Sequence, residues 1–247
     1  MFENKFCMVL NKPAGLSVQG GEGIRVSLDS ILSENYTTRP LLVHRLDRDT
    51  SGIILVAKNR DAASLFSALF ASRSSNGNRV KFPAALSIKK DAESSVLQEK
   101  TLTVIKQYLA VCSGIPAKKQ GVIRLALDVR GQDRESETFY RLLLTGESLQ
   151  EGPYGGINFS LIELGLGTGR MHQIRRHLAK INHPVLGDDK YGNFPLNKQL
   201  RKTLGLKNLL LHASRLVIPP LPDMLPEGLD ISSPPPQHFL PFTGSLG

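Results

Sequence analysis

The feature that most constrains this fold is an apolar run that directly follows a highly charged stretch. Residues 52–57 read GIILVA and do not alternate between apolar and polar side chains. A strand with that pattern is buried on both faces, so it lies inside a sheet that is covered on both sides. The stretch before it carries Arg45, Asp47, Arg48 and Asp49 to the edge of that core. Since a buried charge requires a partner, these residues either turn into solvent or are held together for a purpose.

Further segments predict a largely antiparallel sheet flanked by helices. Strand-like composition, with turn residues between, marks TVIKQYLAVC, GVIRLAL, TFYRLLL and NFSLIEL. Helical spacing of apolar residues marks 59–73, where Asn59 is available as the N-cap. A second helix is predicted at 170–181, a third at 196–204, and a last strand near NLLLHASRLVI.

The helix predicted at 170–181 carries a distinctive arginine. Its apolar stripe includes Met171 and Ile174, and Gln173 lies on the opposite side. Arg175 lies at the margin of the stripe. Such an arginine either buries its stem and keeps its head in water, or reaches a carboxylate in a cleft.

The charge of the chain favours a polyanionic partner. The net charge is +9 over 247 residues, and a basic balance of this size promotes association with nucleic acid. From residue 221 onward there are three acids and neither lysine nor arginine. We therefore expect residues 1–220 to form the functional unit, interrupted by an insertion at 74–100 that lacks periodicity. Residues 221–247 are rich in proline, and we expect an extended or loosely docked tail.

Several classes of protein are not supported by the sequence. No apolar stretch is long enough to span a membrane, and the N-terminus resembles neither a secretory nor an organellar leader. Cys7 and Cys112 form no CxxC pair, and the histidines do not have metal-ligand spacing, so no metal site is expected. We expect a cytoplasmic location, with mitochondria or plastids as the alternative if a leader is missing from this sequence.

Two short patterns suggest other activities. The glycines of GLGTGR lie between a strand and a helix, but Arg170 stands where a dinucleotide fingerprint needs its third glycine. A nucleotide cofactor is therefore not expected. The acids of LDRDTSG and LGDDKYG resemble the magnesium-binding loops of haloacid-dehalogenase-type phosphatases, although Ser51 stands where threonine or valine would be needed. This phosphatase remains a rival interpretation.

A longer set of ordered motifs resembles the pseudouridine synthases that act on ribosomal and transfer RNA, specifically the RluA-type branch. NKPAGLSVQGG is similar to the opening motif of that family, HRLDRDTSG to its catalytic loop, and KQYLAVCSG to its tyrosine strand. ESETFYRLL, GRMHQIRRHLAKINHPVLGDDKYG and LLLHASRLVIP match its later segments. The resemblance covers about residues 8–219 and implies an α+β fold with a mixed, mostly antiparallel central sheet, flanking helices and a basic RNA-binding cleft.

The resemblance also implies roles for individual residues. Asp47 is the expected catalytic aspartate, Tyr108 stacks on the target uracil and assists proton transfer, and Arg175 pairs with Asp47. Arg45 occupies the gap that the target base leaves in the RNA. We expect the remaining substrate-binding residues to be Ile174, His172 and Gln173.

The implied reaction detaches uracil from ribose, rotates it and rejoins it through C5, which requires an exposed nucleotide. It needs no metal, nucleotide cofactor or redox centre.

The expected substrate is ribosomal RNA, with transfer RNA as the alternative, and we expect a monomer. A different alternative is a non-catalytic RNA chaperone with the same fold. The sequence carries no small basic domain ahead of NKPAG, so RNA recognition would rely on the catalytic domain or on another protein.

Overall fold

The computed structural model describes residues 1–75, 104–129, 131–148 and 157–243. The strands are, in chain order, β1 (Phe2–Glu3), β2 (Cys7–Lys12), β3 (Leu41–Leu42), β4 (Ser51–Ala57), β5 (Ile105–Ser113), β6 (Gln120–Arg124), β7 (Leu127–Val129), β8 (Gln132–Arg134), β9 (Glu137–Ser148), β10 (Ile157–Leu166), β11 (Leu211–Ile218) and β12 (Leu229–Ser232). The helices are α1 (Leu28–Asn35), α2 (Arg60–Ser75), α3 (Gln173–Lys180), α4 (Phe194–Thr203) and α5 (Leu240–Thr243). Beyond Ser75, the predicted insertion at 74–100 lies outside the described residues.

Ten of the strands in the described ranges form one sheet. Its main path runs β1-β2-β4-β11-β5-β10-β9-β6, with β3 paired to β4 and β12 paired to β11. β4 and β11 are parallel, whereas the other pairs in the sheet are antiparallel. β7 and β8 form a separate hairpin. The α+β fold with a mixed, mostly antiparallel sheet is therefore confirmed.

β4 accounts for the unbroken apolar run in the sequence, because all of its residues are buried. Ile54 and Val56 belong to one hydrophobic cluster, while Ile53 and Leu55 belong to a second cluster that includes Phe66 of α2. Alternate side chains of a strand point to opposite faces of its sheet. The central sheet therefore has a packed core on each face. Within the described ranges, no helix has both the length and the apolar character to span a membrane.

Gly52 allows the start of β4 to lie close to β11. Its φ is +111°, and a Cβ at this position would lie 2.3 Å from the carbonyl oxygen of Ala213. A residue with a side chain can neither adopt this backbone angle readily nor fit this space. Glycine therefore permits the close parallel pairing that begins where the charged loop ends.

Helix α3 begins three residues later than its periodicity predicts. His172 has a left-handed backbone, with φ 52° and ψ 26°, so a right-handed helix cannot run back through it. Met171 consequently lies outside the helix and is 62% exposed, whereas Gln173 is buried. The predicted faces for these two residues are therefore wrong.

The sequence predicts an extended or loosely docked tail; within the described residues part of the tail is extended, as β12, but the expectation of loose docking is wrong. β12 pairs antiparallel with β11, and the side chains of Phe239 and Phe242 are buried in the main hydrophobic cluster. Aromatic side chains can offset the ordering cost of a proline-rich segment when they reach a core. The division of the chain at residue 220 stays a prediction.

His212 links the tail to the start of β4. Its Nε2 donates to the carbonyl of Ser233 at 3.2 Å, and its Nδ1 accepts from the hydroxyl of Ser51 at 2.9 Å. Both bonds are made by a neutral ring. Burial is the main reason that the pKa of His212 is lowered to about 4 from 6.5.

We predict that this histidine makes folding stability depend on pH. Between pH 6.5 and 4 the unfolded chain binds a proton at His212 that the folded chain does not, so stability falls as the pH is lowered through this window. The loss amounts to about 3 kcal/mol at 1.36 kcal/mol per pKa unit. Urea unfolding at several pH values measures it.

The variant His212→Gln should be less stable at pH 7 but should show a shallower decline towards pH 4. His183→Gln is the matched control, because His183 is only partly buried and lies away from this contact. Equal slopes for His212→Gln and the wild-type protein would contradict the prediction.

Candidate active site

A buried lysine fixes the loop that carries Asp47. The loop connects β3 to β4, and the ammonium group of Lys12, at the end of β2, donates to the carbonyl of Arg48 within it at 2.9 Å. The same group donates to the carbonyls of Pro13 and Leu16, each at 2.8 Å. The turn that follows β2 is thereby tied to the residue next to Asp47.

Lys12 is 1% exposed. Burial lowers its pKa to about 8, although Asp49 and Asp47 oppose that shift. An ammonium group has three N–H donors, which match the three carbonyls around it. The sequence reasoning did not identify this lysine as a site residue. The signal that could have identified Lys12 is a cation in the NKPAG motif at the end of an apolar strand.

Arg175 of α3 contacts two carboxylates. Its Nε and Nη2 donate to Oδ2 and Oδ1 of Asp188, both at 2.8 Å. Its Nη1 lies 3.8 Å from Oδ2 of Asp47. The Arg175 side chain is 5% exposed and that of Asp188 is 1% exposed. The arginine is therefore buried in a cleft with a carboxylate, as one of the two sequence alternatives has it, but its closest acid is Asp188.

Asp188 lies in the loop after α3. Its Oδ1 also accepts from the backbone N–H groups of Lys190 and Tyr191, both at 2.9 Å. Burial alone would raise the pKa of Asp188, but the hydrogen bonds from Arg175 and from these two N–H groups outweigh it and lower the pKa. Its oxygens are thus occupied by donors and are poorly suited to magnesium, which the phosphatase interpretation needs.

Tyr108 lies on β5, between Ala213 of β11 and Leu164 of β10. Because side chains alternate along a strand, Lys106 shares its face. Both residues line the same cavity as Asp47 and Arg175. The Lys106 ammonium lies 4.4 Å from the centre of the Phe70 ring, also in the cavity wall.

Gln173 holds the loop before α3 against β9. Its Oε1 accepts from the hydroxyl of Thr168 at 2.6 Å and from the N–H of Arg170 at 3.0 Å. Its Nε2 donates to the carbonyl of Glu137 at 2.8 Å and to the hydroxyl of Thr138 at 2.9 Å. The amide is therefore engaged at both ends within the protein, and its expected contact with substrate stays a prediction.

The seven residues that were predicted to be catalytic or substrate-binding lie in one place. They line a cavity of about 410 Å³: Arg45, Asp47, Tyr108, His172, Gln173, Ile174 and Arg175. Arg45 is exposed at the surface, while Ile174 is buried. The sequence reasoning missed His44, Phe70 and Lys106 in the cavity wall and Asp188 behind it. In the described parts of the chain, no three His, Cys, Asp or Glu side chains cluster in a way that could hold a metal ion.

The chain is similar to several curated proteins. It is 32% identical over 209 residues to the mitochondrial RNA pseudouridine synthase 4 of Arabidopsis thaliana, covering 78% of this chain and 40% of that protein. It is 35% identical over 221 residues to the ribosomal large subunit pseudouridine synthase C of Haemophilus influenzae, covering 86% and 58%. The tRNA pseudouridine synthase C of Haemophilus ducreyi is 28% identical over 223 residues, covering 87% and 83%. The chain thus spans about half the length of the first two relatives.

A solved structure shows the same fold. The human RNA pseudouridylate synthase domain containing 4 superposes with a TM-score of 0.68 at 24% identity, covering 97% of this chain and 89% of that one. The family model described as RNA pseudouridylate synthase matches residues 6–78 and 89–180. These matches include the loop of Asp47, the strand of Tyr108 and the helix of Arg175. The chain therefore belongs to the RNA pseudouridylate synthase family.

Proposed function

We propose that this protein isomerises specific uridines in structured RNA to pseudouridine. The observation that carries the proposal is the convergence of three side chains on one cavity. The carboxylate of Asp47 lies 3.8 Å from the guanidinium of Arg175, and Tyr108 lines the same space. The three residues come from a loop, a helix and a strand that are far apart in sequence.

The cavity suits a nucleotide that has left its helix. Its volume of about 410 Å³ lies in the range of small-molecule sites. A base must be unstacked and everted before an enzyme can act on its glycosidic bond. Tyr108 supplies an aromatic ring for the everted uracil, and the buried side chain of Ile174 adds an apolar wall.

Asp47 is the residue that would act on the sugar. An ionised carboxylate can attack the sugar carbon or remove a proton next to it, and either step breaks the bond to uracil. Arg175 would keep the charge of Asp47 balanced when the nucleotide excludes water. Because Arg175 is already bound to Asp188, it can face Asp47 without leaving its position.

Arg45 is suited to the RNA surrounding the target. It is exposed at the surface and lines the cavity. A planar guanidinium can stack on bases and bind phosphate. It would therefore fill the gap in the stack and offset part of the cost of eversion.

We propose ribosomal RNA as the substrate and transfer RNA as the alternative. Two relatives are named for the large ribosomal subunit and for tRNA respectively. The net charge of +9 is consistent with either RNA. We further propose that the protein acts as a monomer. It would need neither a metal nor a nucleotide cofactor, because the rearrangement exchanges one bond for another within a single nucleotide. A cytoplasmic location remains our proposal, with an organelle as the alternative.

We predict that Asp47→Asn abolishes pseudouridine formation while RNA binding persists. The amide keeps the shape of the side chain but removes its charge, so the rate should fall by at least roughly 1,000-fold, a scale typical of removing a catalytic group. Release of label from 5-tritiated uridine in RNA measures the rate, and a filter-binding assay measures affinity.

Asp49→Asn is the matched control for this variant. Asp49 lies two residues away and pairs with the exposed Arg48 at 3.0 Å. An active Asp47→Asn protein would refute the assignment. A wild-type protein that binds RNA but forms no pseudouridine would instead support a chaperone.

Mapping of pseudouridine in total RNA, from cells with and without the gene, tests the class of substrate. We expect at least one site in large-subunit ribosomal RNA to disappear when the gene is deleted and to return with the wild-type gene but not with Asp47→Asn. Loss confined to transfer RNA would overturn the preference for ribosomal RNA. The same experiment gives the position of the modified uridine.

We predict that Asp188→Asn reduces both stability and activity. Removing one partner of a buried ion pair costs about 3–5 kcal/mol, because the other charge is left uncompensated. Urea unfolding measures this loss. The double variant Arg175→Met with Asp188→Leu should recover much of the stability without recovering activity. Full activity in the double variant would contradict the role of Arg175.

A further inference from the structure

His172 occupies one wall of the cavity, at the position that precedes α3. Its left-handed backbone is uncommon for a residue with a Cβ atom. Its side chain does not cap the helix. A backbone of this kind persists when its surroundings hold it, and the side chain of the adjacent Gln173 is hydrogen-bonded to Arg170 and Glu137.

Tyr191 holds the imidazole ring of His172 in place. The tyrosine hydroxyl lies 3.0 Å from Nδ1 of His172, and the two rings meet edge to face with their centres 5.6 Å apart. The backbone N–H of Tyr191 donates to Asp188. The turn that anchors Arg175 through Asp188 therefore also orients His172.

The other nitrogen of His172 faces the carboxylate of Asp47. Its Nε2 lies 3.7 Å from Oδ1 of Asp47, while Nη1 of Arg175 lies 3.8 Å from Oδ2. Each oxygen of Asp47 thus faces its own nitrogen donor. Both distances exceed the roughly 3.0 Å of a hydrogen bond, so a movement of less than about 1 Å would complete either contact.

Burial favours a neutral His172 ring, and its contacts favour a proton on Nε2. Burial is the main cause of the lowered pKa of His172, and the ionised groups that also act on it are Asp47, Arg175, Lys190 and Asp188. A neutral ring has one donor and one acceptor. When the hydroxyl of Tyr191 donates to Nδ1, Nε2–H points at Asp47. The opposite tautomer would place a lone pair against the carboxylate.

We propose that His172 is a positioning residue for Asp47. Its Nε2–H orients Oδ1, Arg175 faces Oδ2, and Tyr191 determines which ring nitrogen carries the proton. The inference rests on the proposed function, since it concerns the same carboxylate. In this proposal His172 contacts and orients Asp47 and does not bind the RNA.

The kinetic test uses His172→Ala in the full chain. We expect kcat for pseudouridine formation to fall roughly 10- to 100-fold, the effect of losing one hydrogen bond to a charged group, with the KM for RNA within about twofold. His172→Gln, whose amide nitrogen can replace Nε2, should recover part of the rate. His183→Ala is the control, since His183 lies outside the cavity wall. An unchanged kcat, or a raised KM alone, overturns the proposal.

A second measurement needs neither RNA nor activity. NMR of the ring nitrogens should show the Nε2–H tautomer of His172 in the wild-type protein and a smaller fraction of it in Tyr191→Phe. The pKa of His172 should fall further in Asp47→Asn, because the carboxylate that raises it is lost, and should change little in Asp49→Asn. The Nδ1–H tautomer, or an unchanged pKa in Asp47→Asn, overturns the proposal.

The two experiments separate this inference from the proposed function. If the NMR result is as expected but the wild-type protein forms no pseudouridine, the geometry stands and the proposed function fails. If the wild-type enzyme is active but both His172 results are negative, the proposed function stands and the positioning role fails.

Discussion

The buried ion pair between Arg175 and Asp188 is the interaction on which the candidate active site depends. It uses two of the three guanidinium nitrogens in bonds of 2.8 Å and leaves the third directed at Asp47. Taking two charges out of water is costly, and a bidentate geometry with further backbone donors repays that cost. The cation that faces Asp47 is therefore held in place by the protein itself.

Asp47 is held by a separate set of contacts. Lys12 ties its loop to the turn after β2, and Gly52 lets the start of β4 lie directly against β11. The strand order brings the other site residues near this loop, since β11 lies between β4 and β5, and β10 lies beside β5. The loop before β4, the face of β5 and the helix after β10 consequently line one cavity.

Local patterns predicted individual strands and helices, whereas the grouping of Asp47, Tyr108 and Arg175 was expected only from the family resemblance. The run at 52–57 has no alternation because both faces of β4 are packed, and Asn59 caps α2 through a 2.9 Å bond to the N–H of Ala62. The tail and the start of α3 were mispredicted for a shared reason. Phe239 is buried by a distant core, and His172 takes a left-handed backbone next to Gln173, whose amide bonds to Glu137 and Thr138 of β9. Neither cause can be read from neighbouring residues.

The partner of a buried charge is another feature that neighbouring residues do not determine. Burial of Arg175 requires an acid, and the sequence offers Asp47 in one motif and Asp188 and Asp189 in another. Only distances distinguish them: Asp188 takes the bidentate contact at 2.8 Å, and Asp47 lies 3.8 Å from Arg175 in the cavity wall. A reacting carboxylate bound as tightly as Asp188 would have its oxygens occupied by donors. The proposed chemistry therefore requires two acids with different contacts: Asp188, which anchors Arg175, and Asp47, which is held less tightly and would react.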